Sequence, residues 1–139
     1  MNRKRLLETI KYHEGFECFP YTCTQGALTI GYGRNLDANG INEEEAEHLL
    51  HVDLLRCEYE LRENLSFFEH LSDPRQEVLL NMCFQLGITG LMKFKRMLVA
   101  LVNHDFHTAS LEMLDSRWAN QTPERAKTLS EIMKTGVWK

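Results

Sequence analysis

His13-Glu14-Gly15-Phe16, followed by Tyr21-Thr22-Cys23 and Thr29-Ile30-Gly31-Tyr32-Gly33, is the stretch that decides how this chain is read. Residues 3–14 form a short helical pattern, with Leu6, Leu7 and Ile10 on one face, and end on a carboxylic acid. Gly15 stops that helix. Residues 18–36 then hold Pro20, Gly26, Gly31 and Gly33 among the β-formers Phe19, Tyr21, Leu28, Ile30 and Tyr32. Turn residues between β-formers predict a hairpin or a small sheet. Cys23 stands nine residues and Thr29 fifteen residues after Glu14. An acid at a helix end, facing a short hairpin across a cleft, suits general acid catalysis, which contributes about 10²–10⁴ in rate.

Working outward, Asn39-Gly40 is a further turn, and Asn42 to Glu45 forms a capping box with Asn at the N-cap and Glu at N3. The helix it opens is expected to run to about Glu63, with Ala46, Leu49, Leu50, Leu54, Cys57 and Leu61 as its apolar stripe. At over twenty residues such a helix is roughly 30 Å long, and in a small chain it would join two lobes. Asp73-Pro74-Arg75-Gln76 is a second helix start, with Asp as cap, leading Val78, Leu79, Met82, Cys83 and Leu86 into Gly87. Shorter helices are expected near 93–103, 106–115 and 123–134, the last capped by Thr122-Pro123. The fold class is therefore α+β, mostly α, with one small antiparallel sheet near the N-terminus.

The bulk properties fit one domain. The chain has 139 residues, 43% of them hydrophobic and 26% charged, with a net charge of −4. Residues 1–90 carry 8 basic and 15 acidic side chains, whereas residues 91–139 carry 8 and 5. This is too sparse a basic face for nucleic acid, though the C-terminal part can meet an anionic polymer such as a cell wall. Cys18, Cys23, Cys57 and Cys83 show neither paired CxxC rhythm nor zinc-ligand spacing, so no metal site is expected. Met1-Asn2-Arg3-Lys4-Arg5 starts like a signal peptide, but Glu8 follows Leu6-Leu7 and no apolar core develops. No 18-residue apolar run predicts a membrane span. The thiols are expected to be free in a reducing cytoplasm. A Cys18–Cys23 disulfide is left to geometry.

Two more constellations stand beside the N-terminal one. Ser116-Arg117-Trp118-Ala119-Asn120-Gln121-Thr122-Pro123-Glu124-Arg125-Ala126-Lys127 reads by itself as a loop, a core Trp and a Pro-capped helix. Asn81-Met82-Cys83-Phe84-Gln85-Leu86-Gly87-Ile88-Thr89-Gly90 reads as a buried helix end with a glycine stop. Together with Glu14, Cys23 and Thr29, and with the Ile41-Asn42-x-x-Glu45-Ala46-Glu47 helix start, they resemble the phage-type lysozymes of the T-even group, glycoside hydrolase family 24. The motifs occur in the family's order and cover nearly the whole chain.

The resemblance implies a lysozyme-like two-lobed domain over residues 1–139. The small lobe would take about residues 12–60, and the helical lobe about residues 1–11 and 61–139, with a cleft between them. It implies an endolysin of the muramidase type, hydrolysing the β-1,4 bond between N-acetylmuramic acid and N-acetylglucosamine in peptidoglycan, with inversion. In that scheme Glu14 protonates the glycosidic oxygen, Cys23 and Thr29 place or activate a water, and Arg125 pairs with and orients Glu14. Phe84 packs on a sugar ring and Gln85 hydrogen-bonds a sugar substituent. No metal or cofactor is implied. The expected state is a monomer that waits in the host cytoplasm, reaches the wall through a separate hole-forming protein (a holin), and lyses the host from the periplasm at the end of phage infection.

Several positions depart from the family pattern. Many relatives have Asp where this chain has Cys23. An unperturbed thiol is about 3% ionised at pH 7, so a step needing thiolate would run roughly 30-fold slower without a pKa shift. Arg34 stands where relatives often have His, and its expected partner is Asp53 on the long helix. The segment before that helix is short, and Asn35, Met97 and Glu112 differ from the family's usual residues near the sugar. Cys23 admits two rival readings. One is a decayed module that binds peptidoglycan without turnover; the other is a thiol enzyme with Cys23 as nucleophile and His13 as its base.

Overall fold

The structure is a computed structural model that describes residues 1–138. The chain divides into two compact units, residues 1–49 and residues 50 onward, with the division falling inside the long helix. The first unit holds the N-terminal helix and the sheet. Lys139, the last residue of the expected span, lies outside the described residues.

The first unit opens with helix α1 (Arg3–Glu14), started by Asn2, whose side chain accepts from the Arg5 N–H at 2.9 Å. Gly15, at φ 70°, ends it, and its N–H donates to the Lys11 carbonyl at 2.9 Å. Three antiparallel strands come next in the order β1 (Glu17–Thr22), β2 (Leu28–Gly31) and β3 (Arg34–Asn35). The register pairs Tyr21 with Thr29 and Glu17 with Gly31, which leaves a bulge in β1 between Glu17 and Tyr21. Pro20 falls inside that bulge, where its missing N–H breaks no ladder bond. A one-turn helix, α2 (Leu36–Asn39), is capped by Asn35 and closes on Gly40. Its Asp37 accepts from the Leu28 N–H at 2.7 Å and so ties the turn back to β2.

Helix α3 (Glu43–Asn64) spans the division between the units. Its capping box is reciprocal: the Glu45 N–H donates to Asn42 Oδ1 at 2.8 Å, and the Asn42 N–H donates to Glu45 Oε1 at 3.0 Å. Only the C-terminal part of the predicted stripe is buried, at Cys57 and Leu61, while Leu49 and Leu50 are 51% and 42% exposed. A 3-10 turn at Phe68–His70 leads to α4 (Asp73–Met92). Ser72, not Asp73, takes the N-cap position of α4. Gly87, at φ 74° and ψ 164°, breaks α4, but helical turns resume to Met92 instead of ending there.

The remaining helices are α5 (Lys95–Val102), α6 (Phe106–Leu114), α7 (Arg117–Gln121) and α8 (Pro123–Thr135). The segment expected as a loop before Pro123 is thus partly α7, capped by Ser116. Thr122 does not cap α8 through its side chain; its hydroxyl donates to the Trp118 carbonyl at 3.0 Å. These helices pack around Leu61, Phe68, Leu79, Met82, Met97, Leu101, Met113 and Met133, all at most 1% exposed. Each such side chain stabilises the unit by about 1.5–3 kcal/mol relative to exposure, and the unbranched methionines fill the irregular gaps between short helices.

Among the described residues, no helix is long and apolar enough to cross a membrane, and no cluster of three His, Cys, Asp or Glu side chains could hold a metal. All four cysteines are free thiols.

Candidate active site

In the first unit the sequence carries the acid to the sheet by a short route. The C-terminal end of α1 is anchored by Tyr32, whose ring lies 5.5 Å from Phe16 and 5.5 Å from the Lys11 ammonium. One residue further, Gly33 leaves room for Glu14. A Cβ built on Gly33 would stand 2.6 Å from Glu14 Oε2 and 3.1 Å from its carboxyl carbon. Gly33 also has φ +78°, a backbone region that L side chains rarely adopt. The Glu14 carboxyl therefore rests on bare backbone just past the end of β2.

Cys23 and Thr29 meet at the other end of the same hairpin. The Cys23 N–H donates to the Ala27 carbonyl at 2.9 Å, and the Gly26 N–H donates to the Cys23 carbonyl at 2.9 Å, which closes the β1–β2 turn. The turn directs the backbone N–H groups of Ala27 and Gln25 at the Cys23 sulfur, beside the Thr29 side chain. These donors favour the anion and hold the thiol below its ordinary pKa, against a smaller opposing effect of burial. Thr29 is buried, and its hydroxyl donates to the Ala27 carbonyl at 2.9 Å. His13, the base that a thiol nucleophile would want, edges Tyr12 at 5.5 Å between ring centroids.

Asp53, the partner expected for Arg34, falls in the other unit. Arg34 instead grips Glu45 with both terminal nitrogens, at 3.1 and 2.5 Å, and donates to the Gly40 carbonyl at 3.0 Å. Asp53 accepts from Arg56 three residues on, at 2.7 Å. The physical reason is a better-placed acid: the capping box already holds the Glu45 carboxylate at the start of α3, where a bidentate guanidinium fits both oxygens. Arg34, with the Asn42 N–H behind it, holds the Glu45 carboxyl at about 2.

In the second unit, Phe84 and Gln85 sit at exposed positions late in α4, Phe84 at 43%. The Gln85 carbonyl oxygen accepts from the Trp118 indole N–H at 2.8 Å, which leaves its amide N–H groups able to donate. Trp118 is buried with Phe94 against its edge, 6.0 Å between centroids. Arg125 is fixed by Asn81: its Nε donates to Asn81 Oδ1 at 2.8 Å, and a terminal nitrogen donates to the Asn81 carbonyl at 3.3 Å. A cavity of about 630 Å³ opens beside Trp118, with Phe94, Lys93, Arg117 and Glu112 in its wall. Met97 also reaches this cavity, whereas Asn35 caps α2 in the other unit.

The structure thus brings Glu14, Cys23 and Thr29 onto one helix–hairpin unit, and Phe84, Gln85 and Arg125 onto the helical unit. Sequence reasoning missed the groups that hold them. Those are Gly33 under Glu14, the backbone of Ala27 and Gln25 at Cys23, Trp118 on Gln85 and Asn81 on Arg125. Only Gly33 carried a signal, as the second glycine of the Gly31-Tyr32-Gly33 turn.

A mostly helical chain with one small three-stranded antiparallel sheet has an α+β, lysozyme-like fold. The chain belongs to the phage lysozyme family, whose model matches residues 11–133, and it is a lysozyme-like peptidoglycan hydrolase. Two relatives from Dictyostelium discoideum match over most of both chains. Probable T4-type lysozyme 2 is 29% identical, with 96% of each chain covered, and probable T4-type lysozyme 1 is 27% identical, with 94% of each covered. The pre-baseplate central spike protein Gp5 of Enterobacteria phage T4 is 28% identical over 94% of this chain and 28% of its own length.

Proposed function

We propose that this protein is an endolysin that cleaves the β-1,4 bond between N-acetylmuramic acid and N-acetylglucosamine. The observation that carries the reading is the Glu14 carboxyl resting on the bare backbone of Gly33, on the same hairpin as the Cys23–Thr29 pair. Glu14 donates its proton to the glycosidic oxygen as the bond to the sugar carbon breaks. Cys23, whose backbone donors favour its ionised form, takes a proton from a water that Thr29 helps to place, and that water attacks the far face of the ring. Gln85 and Phe84 receive the sugar, and Arg125 orients the acid. No metal or cofactor takes part in this scheme. The protein acts as a monomer on the wall in the periplasm. It reaches the wall from the host cytoplasm through lesions made by a holin, at the end of phage infection.

Clearing of permeabilised Gram-negative cells tests this, run in parallel for the native protein, Glu14→Gln and Cys23→Asp. Clearing by native protein that Glu14→Gln abolishes supports the acid mechanism. Clearing kept or raised in Cys23→Asp supports a base at that position, and its loss points to a nucleophilic thiol. No clearing by native protein, with clearing gained in Cys23→Asp, would replace the enzyme with a decayed wall-binding module. Mass analysis of the released muropeptides decides the bond, since a muramidase leaves a reducing N-acetylmuramic acid end.

A further inference from the structure

Two cysteines lie outside the machinery proposed above. Cys57 on α3 is 8% exposed and Cys83 on α4 is 1% exposed, and their thiols interact directly. They share a pocket of about 220 Å³ with Asp53, Arg56, Glu60 and Phe84. Arg56 is committed to Asp53 at 2.7 Å. No third Cys, His or carboxylate joins the two sulfurs in a metal-holding group among the described residues, so the donor set for a zinc-type site is incomplete. Two thiols that line one pocket from α3 and α4 can bond to each other, which requires their Cβ atoms brought to about 3.5–4.5 Å.

We propose that Cys57 and Cys83 form a disulfide that ties α3 to α4 when the folded protein meets a small organic disulfide. Cys57 is the entry thiol, because it is the more exposed of the two at the pocket. With a small disulfide such as cystamine, the Cys57 sulfur attacks one cystamine sulfur and expels one cysteamine thiolate, leaving a mixed disulfide. Cys83 then gives up its proton, attacks the Cys57 sulfur and expels the second cysteamine thiolate. The two protein thiols are oxidised, one cystamine is reduced to two cysteamines, and the two protons end on those products. Burial first, and then the neighbouring Cys57, push the Cys83 thiol up to about 12, so the second step is the slow one and the mixed disulfide precedes the link. The bond closes the loop 57–83 and anchors the residue directly before Phe84 and Gln85. The inference is independent of the bond that the protein cleaves.

Peptide mapping after cystamine treatment without denaturant tests it. Trypsin leaves Cys57 alone on residues 57–62 and Cys83 alone on residues 76–93, while Cys18 and Cys23 share residues 12–34. The expected product is a 57–62/76–93 cross-link that forms in folded protein and is reversed by dithiothreitol. The linked protein should melt about 10 °C higher than the reduced one, and Cys57→Ala should lose both the link and the rise. Modification of Cys18 with no link between 57–62 and 76–93 overturns the proposal. So does a link that needs denaturant, or a link that leaves the melting temperature unchanged.

Discussion

Replacing Gly33 with Ala probes the placement of the acid. The new Cβ would lie 2.6 Å from Glu14 Oε2 and 3.1 Å from Cδ, both inside contact distance, so the carboxyl must move. The carboxyl ends a flexible side chain, which makes the displacement cheap in energy but about an ångström in length. An error of that size at a reacting group costs roughly 10²-fold in rate. The positive φ of 78° at this position adds about 1–2 kcal/mol of backbone strain, or a fall of roughly 3–8 °C in melting temperature. Gly31→Ala is the matched control, because Gly31 has φ +69° and nothing within 4 Å of its Cβ position. Cell-clearing rates and thermal melts are then compared for the two variants. Gly33→Ala should lose about 100-fold in rate, and Gly31→Ala should share the thermal loss while keeping most of its activity. Equal activity in both variants would refute the claim that the reacting acid sits over Gly33.

Four further outcomes are expected. Cys23→Ser keeps the turn but offers no anion near neutral pH, so the clearing rate should fall by about 10² or more if the residue is a base; full activity in the serine variant would leave only a water-placing role. Arg34 and the Asn42 N–H hold Glu45 at about 2, below its ordinary value. The stability it contributes is therefore present above about pH 4.5 and is lost as pH falls toward 2, and acid unfolding curves for Glu45→Gln should be flatter across that window. Arg75 donates to the carbonyls of Met133 and Lys134 at 2.8 and 3.1 Å and lies 3.6 Å over the Phe106 ring, so Arg75→Ala should lose about 2 kcal/mol in denaturant melts without changing the substrate KM. Trp118→Phe removes the donor that orients Gln85, and on a soluble oligosaccharide KM should rise severalfold with kcat nearly kept.

How far the fold is legible depends on element length. The capping box at Asn42 and Glu45 locates the start of α3, and its length comes out within a residue, because a long helix repeats its pattern several times. Helix α7 has five residues, too few for a period to show, and its sequence reads as loop. Periodicity also reports which residues share a face without saying what covers them. That is why Leu49 and Leu50 belong to the predicted stripe of α3 yet stay exposed while Cys57 and Leu61 are buried. Arg34 binds Glu45 for a related reason. An ion pair depends on which carboxylate local structure has already fixed, and Glu45 is fixed by the capping box that the same sequence spells out.

The candidate site side chains are legible because chemistry restricts their type, whereas the groups that hold them are backbone or ordinary neighbours. Cys23 is a case in point. The leading donors at its sulfur are the N–H groups of Ala27 and Gln25. Both belong to the main chain and survive any substitution that preserves the turn. An N–H favours a nearby anion whether it is a thiolate or a carboxylate. A turn built this way supports Asp or Cys at the same position, with the turn itself, rather than the side chain, supplying the preference for negative charge. On the proposed mechanism, the cysteine then stands for a base and not for decay. On the same mechanism, the backbone donors of that turn favour an anion there, and the Gly26 N–H bond to the Cys23 carbonyl shapes the turn that presents it.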